Sequence, residues 1–246
     1  MGALTGKAAL VTGASRGIGA AIARRLARDG CAVAITYAAS PDKAKAVVDE
    51  ILAAGGQAAA FAADASDAAA VAAAVDAAAE RFGRLDILVN NAGMGVAASL
   101  EVIELADYDR CFAVNVRGVF VAIKAAARHM RRGGRIITIG SINADHIPFA
   151  GGAVYAATKA AVAGLTRGVA RDLGPRGITV NVIQPGPVDT DMNPADGPWA
   201  AAAKAAMALG EYGAPDDIAA LVAFVASPQA RFITGASLNI DGGYTA

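Results

Sequence analysis

Short apolar runs alternate along this chain with longer stretches in which apolar residues recur every three or four positions. Residues 8–11, 32–37, 58–63, 87–90, 135–139, 179–183 and 237–240 have the length and composition of strands. In the third helical stretch Val71, Val75, Ala78 and Phe82 recur at helical spacing behind Asp67, a residue type that caps helix starts. The strand runs are apolar throughout rather than alternating, the pattern of strands covered on both faces. Strands of that kind alternating with helices predict an α/β fold, a doubly wound sheet of seven parallel strands with helices on both faces.

No repeat and no Pro/Ser-rich linker breaks the chain, so residues 1–246 are expected to form a single domain. The most irregular stretch, 185–198, holds four prolines and two glycines and cannot continue as a helix. The alanine-rich piece that follows, 199–209, is predicted as a short helix. Long excursions at strand ends carry the loops that cover ligands, and the segment at about 187–210 is assigned that role.

Composition excludes several classes. Lys+Arg and Asp+Glu both number 22, and a net charge of zero provides no field that would draw a nucleic acid polymer. The longest uncharged run, 87–100, contains two asparagines and two glycines and is shorter than the roughly 20 apolar residues of a membrane span. The start, MGALTGKAALVTG, has no basic segment followed by an apolar one, and a cytoplasmic protein is expected. Cys31 and Cys111 read as reduced, buried or half-buried thiols. No His, Cys and Asp set has metal-ligand spacing; Asp189 and Asp191 read as loop-solvating or capping groups.

The first candidate chemistry follows the first strand directly. Thr12-Gly13-Ala14-Ser15-Arg16-Gly17-Ile18-Gly19 precedes a helix predicted over 20–29. Glycines at 13, 17 and 19 permit a sharp turn, a close approach to a pyrophosphate and tight packing of helix on sheet. The helix start then offers free N–H groups to the phosphates. The second strand ends Thr36-Tyr37-Ala38-Ala39-Ser40 with no carboxylate to hold a ribose 2′-hydroxyl. Arg16, Ser40 and Lys43 are placed to bind a 2′-phosphate instead, so NADP(H) is expected rather than NAD(H). Asp64, closing the third strand, suits a hydrogen bond to the adenine amino group.

Further along stand Asn90-Asn91-Ala92-Gly93, Asn115 within Phe112-Ala113-Val114-Asn115, Ser141 after the fifth strand, Tyr155-x-x-x-Lys159, Pro185-Gly186 and Ile240-Asp241-Gly242-Gly243. With the glycine loop, and in this order, they resemble the short-chain dehydrogenase/reductase family over essentially the whole chain. The resemblance implies a Rossmann fold. Within the family the chain is most similar to 3-oxoacyl-[acyl-carrier-protein] reductase-like members. It is especially similar to a branch tied to biofilm dispersal and cyclic-di-GMP binding, on Gln184-Pro-Gly-Pro-Val-Asp-Thr-Asp191 followed by Asn193-Pro194.

The resemblance implies an oxidoreductase that moves a hydride between a nicotinamide cofactor and a carbonyl or secondary alcohol. Tyr155 would be the proton donor or acceptor at the substrate oxygen, and Ser141 would orient and polarise the carbonyl. Lys159 would bind the nicotinamide ribose and favour the ionised form of Tyr155, while Asn115 would hold a water in a proton relay. Thr190 would contact the nicotinamide amide, and Asn91, Ala92 and Gly93 would line the cofactor cleft. Ser15, Ile18 and Tyr37 are expected on its adenosine and phosphate side, and Pro185, Gly186 and Val188 near the nicotinamide.

Residue chemistry supports the central pair independently. Four residues are about one helical turn, so Tyr155 and Lys159 share a face. Tyrosine ionises near pH 10, too high for base work at neutrality, and a neighbouring ammonium favours the phenolate. His146, five residues after Ser141, is a candidate border of the substrate pocket, whereas His129, at a basic helix end, reads as solvated or compensating the helix dipole.

Two other functions stay open: a regulatory protein that binds a nucleotide such as cyclic di-GMP, and a true acyl-carrier-protein reductase. The second requires arginines near the cleft, for which Arg128, Arg131 and Arg171 are candidates. The substrate expected is a small ketone or alcohol. The resemblance also implies a homotetramer, or a homodimer, built through the helix of Tyr155, the helix before it and the last strand. Ala156, Ala157, Ala160, Ala161, Ala163 and Gly164 permit close packing inside the subunit or across such an interface.

Overall fold

The computed structural model describes residues 2–246. Its strands are β1 (Ala8–Val11), β2 (Ala32–Tyr37), β3 (Ala58–Ala62), β4 (Ile87–Asn90), β5 (Arg135–Ile139), β6 (Thr179–Pro185) and β7 (Ser237–Ile240). They form one parallel sheet in the order β3-β2-β1-β4-β5-β6-β7. The helices are α1 (Gly17–Arg28), α2 (Pro41–Ala53), α3 (Ala68–Phe82), α4 (Leu105–Phe112), α5 (Gly118–His129), α6 (Ala153–Leu173), α7 (Ala200–Ala206) and α8 (Pro215–Ala226). This is the doubly wound parallel sheet that the patterning predicts and the Rossmann fold that the resemblance implies.

Each central strand feeds two cores. Ala9, Val11, Val33, Ile35, Ile87, Val89 and Ile137 pack with α1, α2 and α8. Their alternates Leu10, Ala34, Leu88, Ile136 and Val180 pack with α3, α5 and α6. Period-2 alternation within an unbroken apolar run is what burial of both faces requires. The expectation of two covered faces fails at the sheet edges. Only Ala58 of β3 is buried, and no residue of β7 is, because an edge strand has one neighbour and less helix above it.

Several element ends differ from expectation, β3 stopping at Ala62 instead of 63 and α1 at Arg28 instead of 29. α1 starts at Gly17 instead of residue 20, since the N–H of Ala20 reaches back to the carbonyl of Arg16 and the glycines form the first turn. β6 runs two residues past 183 because Gln184 and Pro185 pair with Asn239 and Ile240. α7 is shorter than 199–209. The Asp67 cap forms as predicted, its carboxylate accepting from the N–H groups of Ala69 and Ala70 at 2.8 and 3.1 Å.

Both cysteines are free and buried. Burial, with Asp86 nearby, pushes the Cys31 thiol up to about 12, and burial also raises Cys111, so neither presents a reactive thiolate. His129 is not a solvated group. Its Nε2 lies 2.6 Å from Asp76 Oδ1, because α3 and α5 pack side by side, and Arg128 reaches the same carboxylate at 3.0 Å. The His129 hydrogen bond, helped against burial by Arg128, holds the Asp76 carboxyl below its usual range. Among the described residues no helix is long and apolar enough to cross a membrane.

Asp86 fastens the amino-terminal edge of the central sheet. Its backbone joins Ala8 and Arg135 across β1, β4 and β5. Its carboxylate accepts from the Ala8 N–H at 3.0 Å, from Lys7 at 3.2 Å and from Arg84 at 2.6 and 2.8 Å. Burial raises this carboxyl, but the bonds from Arg84, Ala8 and Lys7 outweigh it and hold the group below its ordinary value. Replacement by alanine leaves the Ala8 N–H without its carboxylate acceptor, and Asp86→Ala is expected to cost about 1–3 kcal/mol in urea unfolding. A carboxyl depressed in the folded state stabilises above its unfolded value of about 4 and loses that contribution as pH falls through the folded value. The gap between wild type and variant is therefore expected to narrow below about pH 4.

Candidate active site

β1 and β4 are neighbours, yet the chain winds from β1 toward β2 and β3 and resumes at β4 on the other side. Their carboxyl ends diverge into loops at the switch point where such sheets bind ligands. Thr12 and Asn91 hold this crevice. The Thr12 hydroxyl accepts from the N–H groups of Asn91 and Ala92, both at 3.0 Å. The Asn91 amide donates to the carbonyls of Thr12 and Gly13 at 2.9 and 3.0 Å.

Glycine is required here by space. A Cβ on Gly13, at φ +63°, would lie 2.7 Å from Ala92 Cα, and one on Gly19 would lie 2.4 Å from Asn91 Nδ2. The start of α1 carries no side-chain cap. Its free N–H groups, together with these close approaches, fit a pyrophosphate. The turn brings Ser15, Arg16, Gly17 and Ile18 to the carboxyl edge of the sheet, opposite the end of β2. There Tyr37 is half-buried, and Ser40 precedes α2 without capping it. Asp64 lies at the end of the adjacent β3. One of its oxygens accepts from the N–H and hydroxyl of Ser66, both at 2.8 Å, and those bonds hold its carboxyl low.

The other half of the site is built on β5, β6 and α6. Ser141 leaves β5 in extended geometry, and its hydroxyl oxygen accepts from the Asn143 N–H at 3.2 Å, so its own proton stays free to be donated. Lys159 is buried, and its ammonium donates to the carbonyl of Ile139 at 3.0 Å, two residues before Ser141. The same Nζ lies 5.5 Å from the ring centre of Tyr155, which is half-buried one turn earlier on α6. Ile139 ends β5, so this bond sets α6 against the strand from which Ser141 emerges.

The side chain of Asn115 is held by the fold itself. It is buried in a π turn, Ala113–Arg117, that joins α4 to α5. Its Oδ1 accepts from the Met94 N–H at 2.9 Å, and its Nδ2 donates to the Met94 carbonyl at 2.9 Å and to Thr158 Oγ1 at 3.0 Å. Both hydrogens are spent on holding the loop after β4, where Gly93 lies, against α6. Thr158 in turn donates to the Tyr155 carbonyl at 2.6 Å. Asn115 and Thr158 therefore fix the turn that carries Tyr155.

After β6, Gly186 packs on Asp241, where a Cβ would meet Asp241 Cα at 2.7 Å, and Val188 is buried in a bridge to Gly213. Thr190 brings its methyl group to Gly17, 3.6 Å from where a Cβ there would stand, so this loop lies against the glycine turn. Asp189 caps its own loop, accepting from the Ala195 N–H at 2.9 Å. Asp191, a solvent-exposed carboxylate as expected, is also an ion-pair partner: its Oδ2 lies 3.7 Å from Arg16 and 3.6 Å from Lys43. His146 is exposed and meets only the edge of Tyr244, with ring centres 5.9 Å apart, which puts it beside the carboxyl-terminal segment.

Sequence reasoning missed Gln184. It is fully buried, and its Oε1 accepts from the Ser141 N–H at 2.6 Å. Its Nε2 has no partner among the described residues. A carboxamide in the otherwise apolar end of a central strand was the available signal. Gly140 must be glycine because a Cβ there would stand 1.9 Å from Gln184 Oε1. Gly140→Ala and Gln184→Ala are each expected to cost about 1–3 kcal/mol in urea unfolding, by overpacking and by an unpaired buried N–H. The double variant should lose less than the sum, by about 0.5–3 kcal/mol, because the second change removes the atom that the first one hits.

Comparison with known proteins agrees with this geometry. A family model described as enoyl-(acyl carrier protein) reductase matches residues 13–245. The chain is 49% identical, over all of both chains, to the cyclic-di-GMP-binding biofilm dispersal mediator protein of Escherichia coli K12. It is 42% identical to a 3-oxoacyl-[acyl-carrier-protein] reductase of Synechocystis, over 99% of this chain and 98% of that one. A short-chain dehydrogenase of Burkholderia cenocepacia, solved in complex with NADP, superposes with a TM-score of 0.98 at 59% identity, covering 99% of each chain. The chain belongs to the short-chain dehydrogenase/reductase family.

Proposed function

We propose that this oxidoreductase is an NADP(H)-dependent reductase of small ketones, reversible as a secondary-alcohol dehydrogenase. Residues 1–246 work as one unit, with the segment at about 187–210 over the substrate. The observation that carries this reading is the buried Lys159 ammonium, bonded to Ile139 at the root of the Ser141 loop and 5.5 Å from the Tyr155 ring. A cation buried at that position has a chemical use beside a phenol and a ribose hydroxyl, and none in ordinary helix packing.

The crevice fits the cofactor on its own geometry. Gly13 and Gly19 leave room for a pyrophosphate, the open start of α1 faces it, and Arg16, Ser40 and Lys43 supply groups for a 2′-phosphate. Asn91, Ala92 and Gly93 line one wall, and Pro185, Gly186, Val188 and Thr190 the other. The NADP held by the Burkholderia relative supports the same choice. When bound, the nicotinamide supplies or accepts the hydride at its C4.

The chain's own residues handle the proton and the alignment. Ser141 donates a hydrogen bond from its free hydroxyl to the substrate oxygen and fixes the carbonyl's orientation. Tyr155 delivers a proton to that oxygen in reduction and removes it in oxidation. Lys159 has two N–H groups left after its bond to Ile139 and offers them to the ribose, with its ammonium 5.5 Å from the Tyr155 ring centre. Gln184, Thr158 and Asn115 keep Ser141 and Tyr155 in place. His146 borders the outer end of the pocket beside Tyr244.

The relative named for cyclic-di-GMP binding favours a second reading, a nucleotide-binding regulator on the same fold. The acyl-carrier-protein reading loses its expected arginines. Arg128, Arg131 and Arg171 lie where α5 and α6 end, before β5 and β6 begin, at the edge of the sheet opposite Ser141, and Arg128 is paired with Asp76. We propose a homotetramer, or a homodimer, in the cytoplasm. Ala156 and Ala163 pack inside the subunit, whereas Ala157, Ala160 and Gly164 form an exposed strip on α6. Leu105 at the start of α4 and Phe120 on α5 are 73% and 48% exposed, apolar side chains suited to contact with a second copy.

NADPH oxidation with a panel of ketones tests the reading. Wild type is expected to turn over, and Tyr155→Phe to lose about 10²–10⁴-fold in kcat while still binding NADPH. Equal inertness of both proteins, with tight binding of cyclic di-GMP, would establish the regulator instead.

A further inference from the structure

Three segments far apart in sequence meet at the rim of the cofactor crevice. Arg16 lies in the glycine turn, Lys43 in the first turn of α2, and Asp191 in the loop after β6. A single oxygen of Asp191, Oδ2, stands 3.7 Å from Arg16 Nη1 and 3.6 Å from Lys43 Nζ. Among the described residues neither cation has another carboxylate within 4 Å. Asp189, two residues earlier, is turned back into its own loop by the Ala195 N–H, so Asp191 is the carboxylate aimed outward.

These are the two cations that the NADP(H) reading assigns to the 2′-phosphate, and the inference rests on that reading. A phosphate monoester brings about one and a half to two negative charges to the same pair. Beside it Asp191 becomes a like-charge neighbour, while in its absence Asp191 is the counter-ion. We propose that Asp191 competes with the cofactor 2′-phosphate for Arg16 and Lys43, and so weakens the preference of this site for NADP(H) over NAD(H). A ligand without the 2′-phosphate leaves both ion pairs intact and bears none of that competition. All three side chains are more than half exposed, so the effect is modest and sensitive to salt.

Calorimetric titration with 2′,5′-ADP and 5′-AMP isolates the cradle, because neither probe carries a nicotinamide. Asp191→Asn is expected to bind 2′,5′-ADP about two- to tenfold more tightly than wild type, with 5′-AMP unchanged and the gain shrinking at high salt. Lys43→Gln is expected to weaken 2′,5′-ADP alone. Unchanged or weaker binding of 2′,5′-ADP by Asp191→Asn overturns the proposal, the weaker case meaning that Asp191 holds the cations in place for the phosphate. Wild type that binds the two probes equally well removes the NADP(H) reading itself, and the competition with it.

Discussion

The gap between the carboxyl ends of β1 and β4 is the constraint from which the rest of the site follows. A parallel sheet that winds outward in both directions from its middle must leave such a gap. Its backbone groups lose their sheet partners there and need others. Thr12 and Asn91 supply them, one hydroxyl taking two N–H groups and one amide reaching two carbonyls. The two loops are thereby locked at a separation too small for side chains on Gly13 or Gly19. A crevice walled by backbone, with the start of α1 at its floor, suits a phosphate and little else of similar size.

The same logic operates on the substrate side. The Ser141 N–H leaves the sheet beside β6, and Gln184 accepts its bond from inside that strand. The loop after β4 is anchored by Asn115, whose π turn places a carboxamide where a regular helix would not. Lys159 ties α6 to the last carbonyl of β5. Buried polar groups thus hold the elements that bear Ser141, Tyr155 and Lys159. Each of them also costs desolvation that the apolar cores on both faces of the sheet offset.

The central strands are legible because residues buried on both faces leave largely apolar runs, and β1, β2, β4 and β5 end where those runs end. The edge strands β3 and β7 carry similar residues, yet burial there depends on neighbours that local pattern does not encode. The glycine turn and the Tyr155–Lys159 pair are legible because local spacing carries them, and Ser141 because of the family resemblance. Gln184, the buried bonds of Asn115 and the meeting of Asp191 with Arg16 and Lys43 are not. Each joins segments separated by tens of residues, and only the folded sheet brings them together. The far-edge placement of Arg128, Arg131 and Arg171 is of the same kind, since helix direction relative to the sheet decides it.

The proposed chemistry is hydride transfer in a cleft where Tyr155 and Ser141 meet a carbonyl. Single-turnover reaction with NADPH deuterated at the transferring C4 position, followed by mass spectrometry of the product, tests that directly. Deuterium at the carbinol carbon of an alcohol formed from one of a series of ketones is the expected result. NADPH bound by the protein yet retaining its label with every ketone would contradict it.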